Sequence, residues 1–268
     1  MTEEADRYTQ CHAEVCALLN RDFSIDPLLS LTNAMRFELD SAVLSETVIA
    51  FDANVLLRLS SHARSEDIVD YLRTAFPGRI ILPGQVVQEF WNNQFQAVAT
   101  VSASVRKKLD ELATLVESID SRYGEFHGRF TQLVDEFRDS YGYVFDENLT
   151  RKTKSLVELL QEKASVPYMP RNMLAATAMF RKRTKTPPGF KDDADGDFYV
   201  WSDLLLGIAY FKRSSVRISR VTLVTLEKKI DWSREGVPHP ILSAEIKAMC
   251  DAKFETLTVD GLARRLLD

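Results

Sequence analysis

Four short runs of apolar, often β-branched residues constrain the fold of this chain more than any other feature. They lie at residues 48–52, 79–82, 221–225 and 256–259. Each run is bounded by turn or capping residues and lacks the alternation of a strand with one solvated face. Such strands are covered on both faces, as parallel strands between layers of helices are. Because helical patterns separate the runs, the sequence predicts an α/β domain.

The interval between the second and third predicted strands is predicted to be helical. From residue 98 to residue 141 the apolar residues recur mostly three or four positions apart, as on one stripe of a helix. A second helical pattern runs from about residue 149 to residue 164 and stops at Pro167. We expect an antiparallel helical hairpin inserted at about residues 95–185. A coiled-coil dimerisation arm is the alternative, although the many aromatic residues of the stripe favour packing within one chain.

Length, charge and cysteine content limit the class of protein. The 268 residues suffice for one large domain or two small ones, and the net charge is −5. The three cysteines form no CxxC pair, and the acidic N-terminus has no apolar segment typical of a secretory signal. We therefore expect a cytoplasmic protein without a membrane span. Residues 1–45 are predicted to form a helical N-terminal extension, and residues 46–268 the main domain.

Four acidic residues follow predicted strands or begin predicted helices. Asp52 ends the first strand, and Glu89 lies about one turn into the helix after the second. Asp197 begins a later helix, and Glu227 comes just after the third strand. Taken singly, each has an ordinary explanation as a helix cap or a solvated surface residue. Because parallel strands end at one edge of the sheet, we expect these carboxylates to lie close together there.

Clustered carboxylates without His or Cys favour hard divalent cations such as Mg²⁺ or Mn²⁺. Asp195, in the acid-rich segment 192–197, is a further candidate ligand. An EF-hand calcium loop is disfavoured because Ser202 stands where its bidentate Glu would be required. Ions of the Mg²⁺ type activate water and stabilise the charge that develops in phosphodiester hydrolysis.

Five motifs of the chain resemble those of the bacterial PIN-like nucleases. They are Phe51-Asp52-x-Asn54-Val-Leu-Leu, Leu82-Pro83-x-x-Val86-x-x-Glu89-Phe90-x-x-Asn93, Pro187-Pro188-Gly189-Phe190-Lys191-Asp192, Gly196-Asp197-x-x-x-Trp201 and Val224-Thr225-x-Glu227-Lys228-Lys229-x-Asp231-Trp232. The resemblance covers roughly residues 46–260, and the most similar variety carries a long helical insertion between the second and third acids. It implies a three-layer α/β/α fold with a central parallel sheet. It also implies divalent-metal-dependent hydrolysis, usually of RNA.

The same resemblance implies roles for individual residues. Asp52, Glu89 and Asp197 correspond to catalytic acids that bind one or two Mg²⁺ or Mn²⁺ ions. Glu227 stands where the family more often has Asp, and its extra methylene could move or weaken the second metal. The residues expected to hold these carboxylates in position are Asn54, Asn93 and Thr225.

A basic segment precedes the third acid. Residues 171–191 contain six Lys or Arg residues and no acidic residue. A basic strip beside a metal-binding acidic cleft is what a phosphate backbone requires, although a solvated loop is the ordinary alternative. The residues predicted to contact substrate are Arg181, Lys182, Arg183, Lys185, Lys191 and Lys228.

These observations predict a metal-dependent endonuclease that acts on RNA more readily than on DNA. The resemblance suggests a toxin or a phage-defence effector, with an inhibitor protein or a second copy of the chain as further partners. One alternative is a module that binds RNA or a protein without cleavage, which the departure at Glu227 would favour. Another is a dehalogenase-like phosphatase, which is disfavoured because Asn54 stands where that chemistry needs a second Asp.

Overall fold

A parallel sheet of five strands lies at the centre of the protein. The computed structural model describes residues 3–22, 24–34, 43–95, 107–108, 111–112, 114, 128–130, 132–133, 147–191, 193–226 and 230–268. The described strands are β1 (Thr47–Phe51), β2 (Arg79–Ile81), β3 (Ala164–Ser165), β4 (Arg220–Val224), β5 (Ser233–Arg234), β6 (Val237–Pro238) and β7 (Lys253–Leu257). The central sheet has the order β3-β2-β1-β4-β7, and every neighbouring pair in it is parallel. Strands β5 and β6 form a separate antiparallel pair.

Helices cover both faces of this sheet. The described α-helices are α1 (Glu3–Asn20), α2 (Pro27–Ala34), α3 (Ala53–Ser61), α4 (Ser65–Thr74), α5 (Gly84–Glu89), α6 (Glu147–Lys163), α7 (Arg171–Arg183), α8 (Gly196–Arg213), α9 (Pro240–Cys250) and α10 (Val259–Leu267). One layer consists of α3, α4, α6 and α10, and the other contains α1, α2, α8 and α9. The three-layer α/β/α arrangement predicted from the sequence is therefore confirmed.

The core is continuous across the sheet and both helical layers. All five residues of β1 are buried, and so are all five of β4, as expected for strands at the centre of a covered parallel sheet. Helix α1 contributes to the same core through Cys11, Val15 and Leu18, which have no exposed surface. The N-terminal helix therefore packs into the main body of the protein, while a domain boundary at residue 45 stays a prediction.

The predicted runs 48–52, 79–82 and 221–225 correspond to β1, β2 and β4, whereas the run 256–259 overlaps only the last two residues of β7. The three short strands β3, β5 and β6 were not predicted. Strand β3 has only two residues, Ala164 and Ser165, and pairs with β2. It carries no apolar run, and the helical pattern of the sequence extends to Ala164. Such a short edge strand is defined by its partner rather than by its own side chains.

Apart from a few short stretches, the structure describes the predicted helical insertion only in its second half. Helix α6 packs against α3 and α4 and leads directly into β3, so this part belongs to the central α/β body. Most of the predicted stripe at residues 98–141 lies outside the described residues, and the hairpin therefore stays a prediction. No helix in the described ranges is both long and apolar enough to cross a membrane.

Candidate active site

Asp52 lies at the carboxyl end of β1, where the chain turns into α3. Its backbone N–H donates to the carbonyl of Val224 at 3.0 Å, which continues the pairing of β1 with β4. Its carboxylate accepts the backbone N–H of Ala53 at 2.7 Å and the hydroxyl of Thr225 at 2.9 Å. Thr225 is buried at the end of β4. Asp52 therefore caps α3 and is also held from the neighbouring strand.

Glu89 ends α5 and lies against the first residue of α8. Gln85, one helical turn earlier, donates its side-chain N–H to Oε1 of Glu89 at 2.8 Å. A methyl group added to Gly196 would overlap the same carboxylate oxygen. The missing side chain at Gly196 thus allows Glu89 to approach the helix turn that carries Asp197.

Asp197 lies in the first turn of α8, where a negative charge is favourable with the helix dipole. The indole N–H of Trp232 donates to Oδ2 of Asp197 at 2.9 Å, and Trp232 is buried against Trp201. Gly189, at φ +82°, brings the preceding loop close to the Cβ atom of Asp197. The backbone N–H of Gly189 donates to the buried carboxylate of Asp231 at 2.9 Å. Because the next residue, Trp232, donates to Asp197, the loop and the first turn of α8 are both held by the segment 231–232.

The three described acids share the carboxyl edge of the sheet. Helices α3 and α8 both contact α5, which places Asp52, Glu89 and Asp197 on adjoining elements. Within the described ranges, no three His, Cys, Asp or Glu side chains come together as a preformed metal site. That statement does not extend to Glu227, because residues 227–229 lie outside the described residues. The donor set at this edge consists of carboxylate oxygens, which is the chemistry that Mg²⁺ and Mn²⁺ prefer.

Asp195 faces a lysine rather than another acid. The Nζ atom of Lys182 lies 3.5 Å from Oδ1 of Asp195 and donates to the carbonyl of Asp193 at 2.6 Å. This pairing ties the end of α7 to the acid-rich loop before α8. A role for Asp195 as a metal ligand stays a prediction.

The basic residues predicted to contact substrate fall into two groups. Arg183 ends α7, Lys185 and Lys191 lie in the segment between α7 and α8, and all three are exposed. Arg181 is only 3% exposed, and its guanidinium pairs with the buried Glu245 at 2.7 Å and donates to the carbonyl of Pro187. The structure therefore places Arg181 in the core, and the proposal below does not include it among the substrate contacts.

The remaining predicted residues are placed only in part. Asn54 is exposed in the first turn of α3. Lys228, like Glu227, lies outside the described residues, and the side chain of Asn93 does too. Their predicted roles are not tested by these contacts.

A buried ion pair behind Glu89 was missed by the sequence analysis. Asp203, in the middle of α8, has no exposed surface and accepts both terminal nitrogens of Arg171, at 2.7 and 3.0 Å. It also accepts the backbone N–H groups of Gln85 at 2.8 Å and Met169 at 2.7 Å. One signal could have revealed it, since Asp203 is the single acid within an otherwise apolar helical run.

Arg171 connects the ion pair with Asp203 to Gln85, the residue that donates to Glu89. Its guanidinium lies between two aromatic rings, 4.1 Å from the centroid of Tyr168 and 4.5 Å from that of Tyr199. It also donates to the side-chain carbonyl of Gln85 at 3.1 Å. Burial by itself lowers the pKa of Arg171, but the hydrogen bonds and charge of Asp203 outweigh it, and the pKa is raised above its ordinary value.

The sequence of the chain matches the model of one protein family. A family model described as a PIN-like domain matches residues 48–241, a segment that contains Asp52, Glu89, Asp197 and Asp203. No curated protein and no solved structure matches the chain. The matched segment covers more than half of the chain and includes the four strands β1 to β4 of the central sheet. On these grounds the chain belongs to the PIN-like domain family, with a nuclease-type fold.

Proposed function

We propose that this protein is a divalent-metal-dependent endonuclease that hydrolyses phosphodiester bonds, with RNA as its preferred polymer. One observation carries the proposal. Three carboxylates from distant parts of the chain lie on adjoining elements at the carboxyl edge of the sheet, and each accepts a side-chain hydrogen bond. The pairs are Thr225 with Asp52, Gln85 with Glu89, and Trp232 with Asp197.

In this proposal Asp52, Glu89 and Asp197 hold one or two Mg²⁺ or Mn²⁺ ions, with Asp195 and Glu227 as further ligands. A bound ion of this kind lowers the pKa of water and stabilises the charge that develops on the phosphate during in-line hydrolysis. The contribution of the chain is positional. Each hydrogen bond restricts the rotation of a carboxylate, so the side chain loses less conformational entropy when a cation binds.

The exposed basic residues give the proposed substrate a place to bind. Arg183, Lys185 and Lys191 lie at the end of α7 and in the segment that leads to Asp197 in α8, and the neighbouring Lys182 contacts the loop before α8. A chain with a net charge of −5 needs such a local positive surface to attract a polyanion. We include Lys182 and Lys228 in the same surface. The preference for RNA, and a role as toxin or phage-defence effector, rest on the resemblance of the motifs.

A cleavage assay with Asp52→Asn tests this function. The substrates are end-labelled single-stranded RNA, structured RNA, and single- and double-stranded DNA, each incubated with Mn²⁺, Mg²⁺ or EDTA. We expect metal-dependent cleavage of RNA by the wild-type protein and a loss of about 100-fold or more in the variant. Because Asn caps helices about as well as Asp, the variant should remain folded, which its thermal unfolding midpoint would show.

The variant also excludes a contaminating nuclease, whose activity would persist in Asp52→Asn. Cleavage that survives in the pure, folded variant would contradict the assignment of Asp52. Absence of cleavage with retained binding of one polymer would replace the proposed enzyme with a binding module.

A further inference from the structure

We propose that Gln85 and Arg171 are positioning residues for Glu89, acting through a chain of hydrogen bonds that begins at the buried carboxylate of Asp203. This inference rests on the proposed function, because it gives Glu89 the role of metal ligand. Neither Gln85 nor Arg171 needs to touch the metal or the substrate. Their effect on the reaction passes through the orientation of one carboxylate.

The amide of Gln85 can serve Glu89 in only one orientation. The guanidinium of Arg171 has donors but no acceptor, so the carbonyl oxygen of Gln85 must face Arg171. The amide nitrogen is then directed toward Glu89, to which it donates at 2.8 Å. Arg171 therefore fixes which end of the Gln85 amide meets the carboxylate.

The same ion pair also fixes the backbone of Gln85. Asp203 accepts the backbone N–H of Gln85 at 2.8 Å through the oxygen that binds Nη2 of Arg171. Main chain and side chain of Gln85 are thus held by one buried pair. Since Asp203 is fully buried and Arg171 lies between two aromatic rings, the anchor of this chain is rigid.

At the other end, the position of Glu89 is restricted by two neighbours. Oε1 accepts from Gln85, and it lies against the unsubstituted Cα of Gly196. A glutamate has three rotatable side-chain bonds, and an unrestrained one would lose conformational entropy on binding a cation. The chain of hydrogen bonds removes part of that loss in advance, which should raise metal affinity.

Gln85→Met is the first variant for the test, because Met has a similar volume and cannot hydrogen-bond to either neighbour. The backbone N–H to Asp203 remains, so the fold should be retained. We expect the dissociation constant for Mn²⁺, measured calorimetrically without substrate, to rise about 10-fold or more, with a similar fall in kcat and little change in KM. The thermal unfolding midpoint serves as the check on folding.

Gln88→Met is the matched control. Gln88 lies one residue before Glu89, is exposed, and accepts only the hydroxyl of Tyr168 among the contacts described. The control makes the same chemical change on the same helix and leaves all hydrogen bonds among Asp203, Arg171, Gln85 and Glu89 in place. We expect its Mn²⁺ affinity and kcat to equal those of the wild-type protein.

A double-mutant cycle tests whether Arg171 acts through Gln85. Arg171→Lys keeps a positive charge beside Asp203 but loses the planar fork that reaches both partners. Alone, it should weaken Mn²⁺ binding to about the extent of Gln85→Met. In a protein that already carries Gln85→Met it should add almost nothing, because the connection to Glu89 is already broken.

Glu89→Gln separates this inference from the proposed function. If Glu89→Gln loses Mn²⁺ binding while Gln85→Met retains wild-type affinity, the positioning role is wrong and the nuclease proposal stands. Fully additive effects of Gln85→Met and Arg171→Lys would likewise overturn it. If wild-type protein and Glu89→Gln bind Mn²⁺ equally poorly and neither cleaves, the proposed function fails, and this inference fails with it.

Discussion

At the scale of single residues, one acid of the site has both a structural role and a proposed role in binding a cation. Asp52 caps a helix and is proposed to bind a cation, and the two roles share its oxygens. A carboxylate that accepts a backbone N–H and a hydroxyl is held at a fixed angle. The donors around the acids therefore matter as much as the acids themselves.

Thr225→Val tests this principle at Asp52. The change keeps the shape of the side chain and removes the hydroxyl that donates to Asp52 at 2.9 Å. We expect a loss of about 1 kcal/mol in the free energy of unfolding and a fall of about 10-fold in Mn²⁺ affinity and cleavage rate. Urea unfolding and calorimetric titration with Mn²⁺ would measure the two effects.

The control for this prediction is Thr222, three residues before Thr225. Thr222 is buried in β4 and donates to Glu255 at 2.7 Å, away from the three acids. Thr222→Val should lower stability by a similar amount and leave Mn²⁺ affinity unchanged. If Thr225→Val and Thr222→Val lost Mn²⁺ affinity equally, the loss in Thr225→Val would come from lower overall stability and not from the missing hydrogen bond to Asp52.

At the scale of elements, the approach of the Glu89 side chain of α5 to the start of α8 depends on the absence of a side chain at Gly196. Gly196→Ala would place a methyl group against Oε1 of Glu89. The end of a glutamate side chain moves easily, so we expect little change in the free energy of unfolding. Displacement of Glu89 should nevertheless lower Mn²⁺ affinity and cleavage by about 10-fold or more.

Gly261→Ala is the matched substitution in another helix. A Cβ atom at Gly261 would meet its nearest neighbour at 3.4 Å, an ordinary contact. The variant should gain roughly 0.5–1 kcal/mol of stability without any effect on cleavage. Wild-type activity in Gly196→Ala would mean that Glu89 does not need its place beside α8.

Elements and residues differ in how far the sequence predicts them. Strands β1, β2 and β4 were predictable because short apolar, often β-branched runs mark them, whereas Lys253 and Glu255 interrupt that pattern in β7. The acids could be located because they follow strands or begin helices. Strand β3 was not predictable, since two residues of no particular pattern become a strand only through pairing with β2. Arg181 was counted with the surface charges, but the buried Glu245 draws it inside, a contact between distant helices that local sequence does not record.

At the scale of the whole molecule, Glu245 joins four helices at one buried point. This carboxylate of α9 has no exposed surface and accepts from Arg21, which follows α1, from Arg181 on α7 and from Trp201 on α8. Removing the Glu245 carboxylate would leave the buried Arg181 guanidinium without this counter-charge, which costs about 3–5 kcal/mol. The position of α7, and with it the exposed basic residues beyond its end, depends on this cluster.

The pH dependence of stability should include a contribution from His239. Burial lowers the pKa of His239 below its ordinary value of 6.5, as does Arg234, and these effects outweigh the opposing charges of Asp231 and Glu245. Below about pH 6.5 the unfolded chain therefore binds more protons at this site, and the free energy of unfolding falls as the pH is lowered. His239 also caps α9 through a hydrogen bond from Ile241 at 3.2 Å.

His239→Asn removes the titrating group and keeps an acceptor suited to a helix cap. We expect a smaller loss of stability between about pH 7.5 and about pH 5.5 than in the wild-type protein, measured by urea unfolding. Some loss should remain, because burial also lowers the pKa of His12. An unchanged difference between the two pH values would exclude His239 as a contributor.

The parallel pairing of β1 with β4 also has a consequence for how the chain acquires its structure during synthesis. The paired residues Thr47 and Arg220 are separated by roughly 170 residues of chain, a very nonlocal contact. A ribosome releases β1 long before β4 is synthesised. Until then, the backbone N–H and C=O groups on one edge of β1 lack their strand partner. Slow translation of the intervening segment would prolong that interval. The yield of folded protein should therefore depend on temperature and on chaperones that cover exposed strand edges.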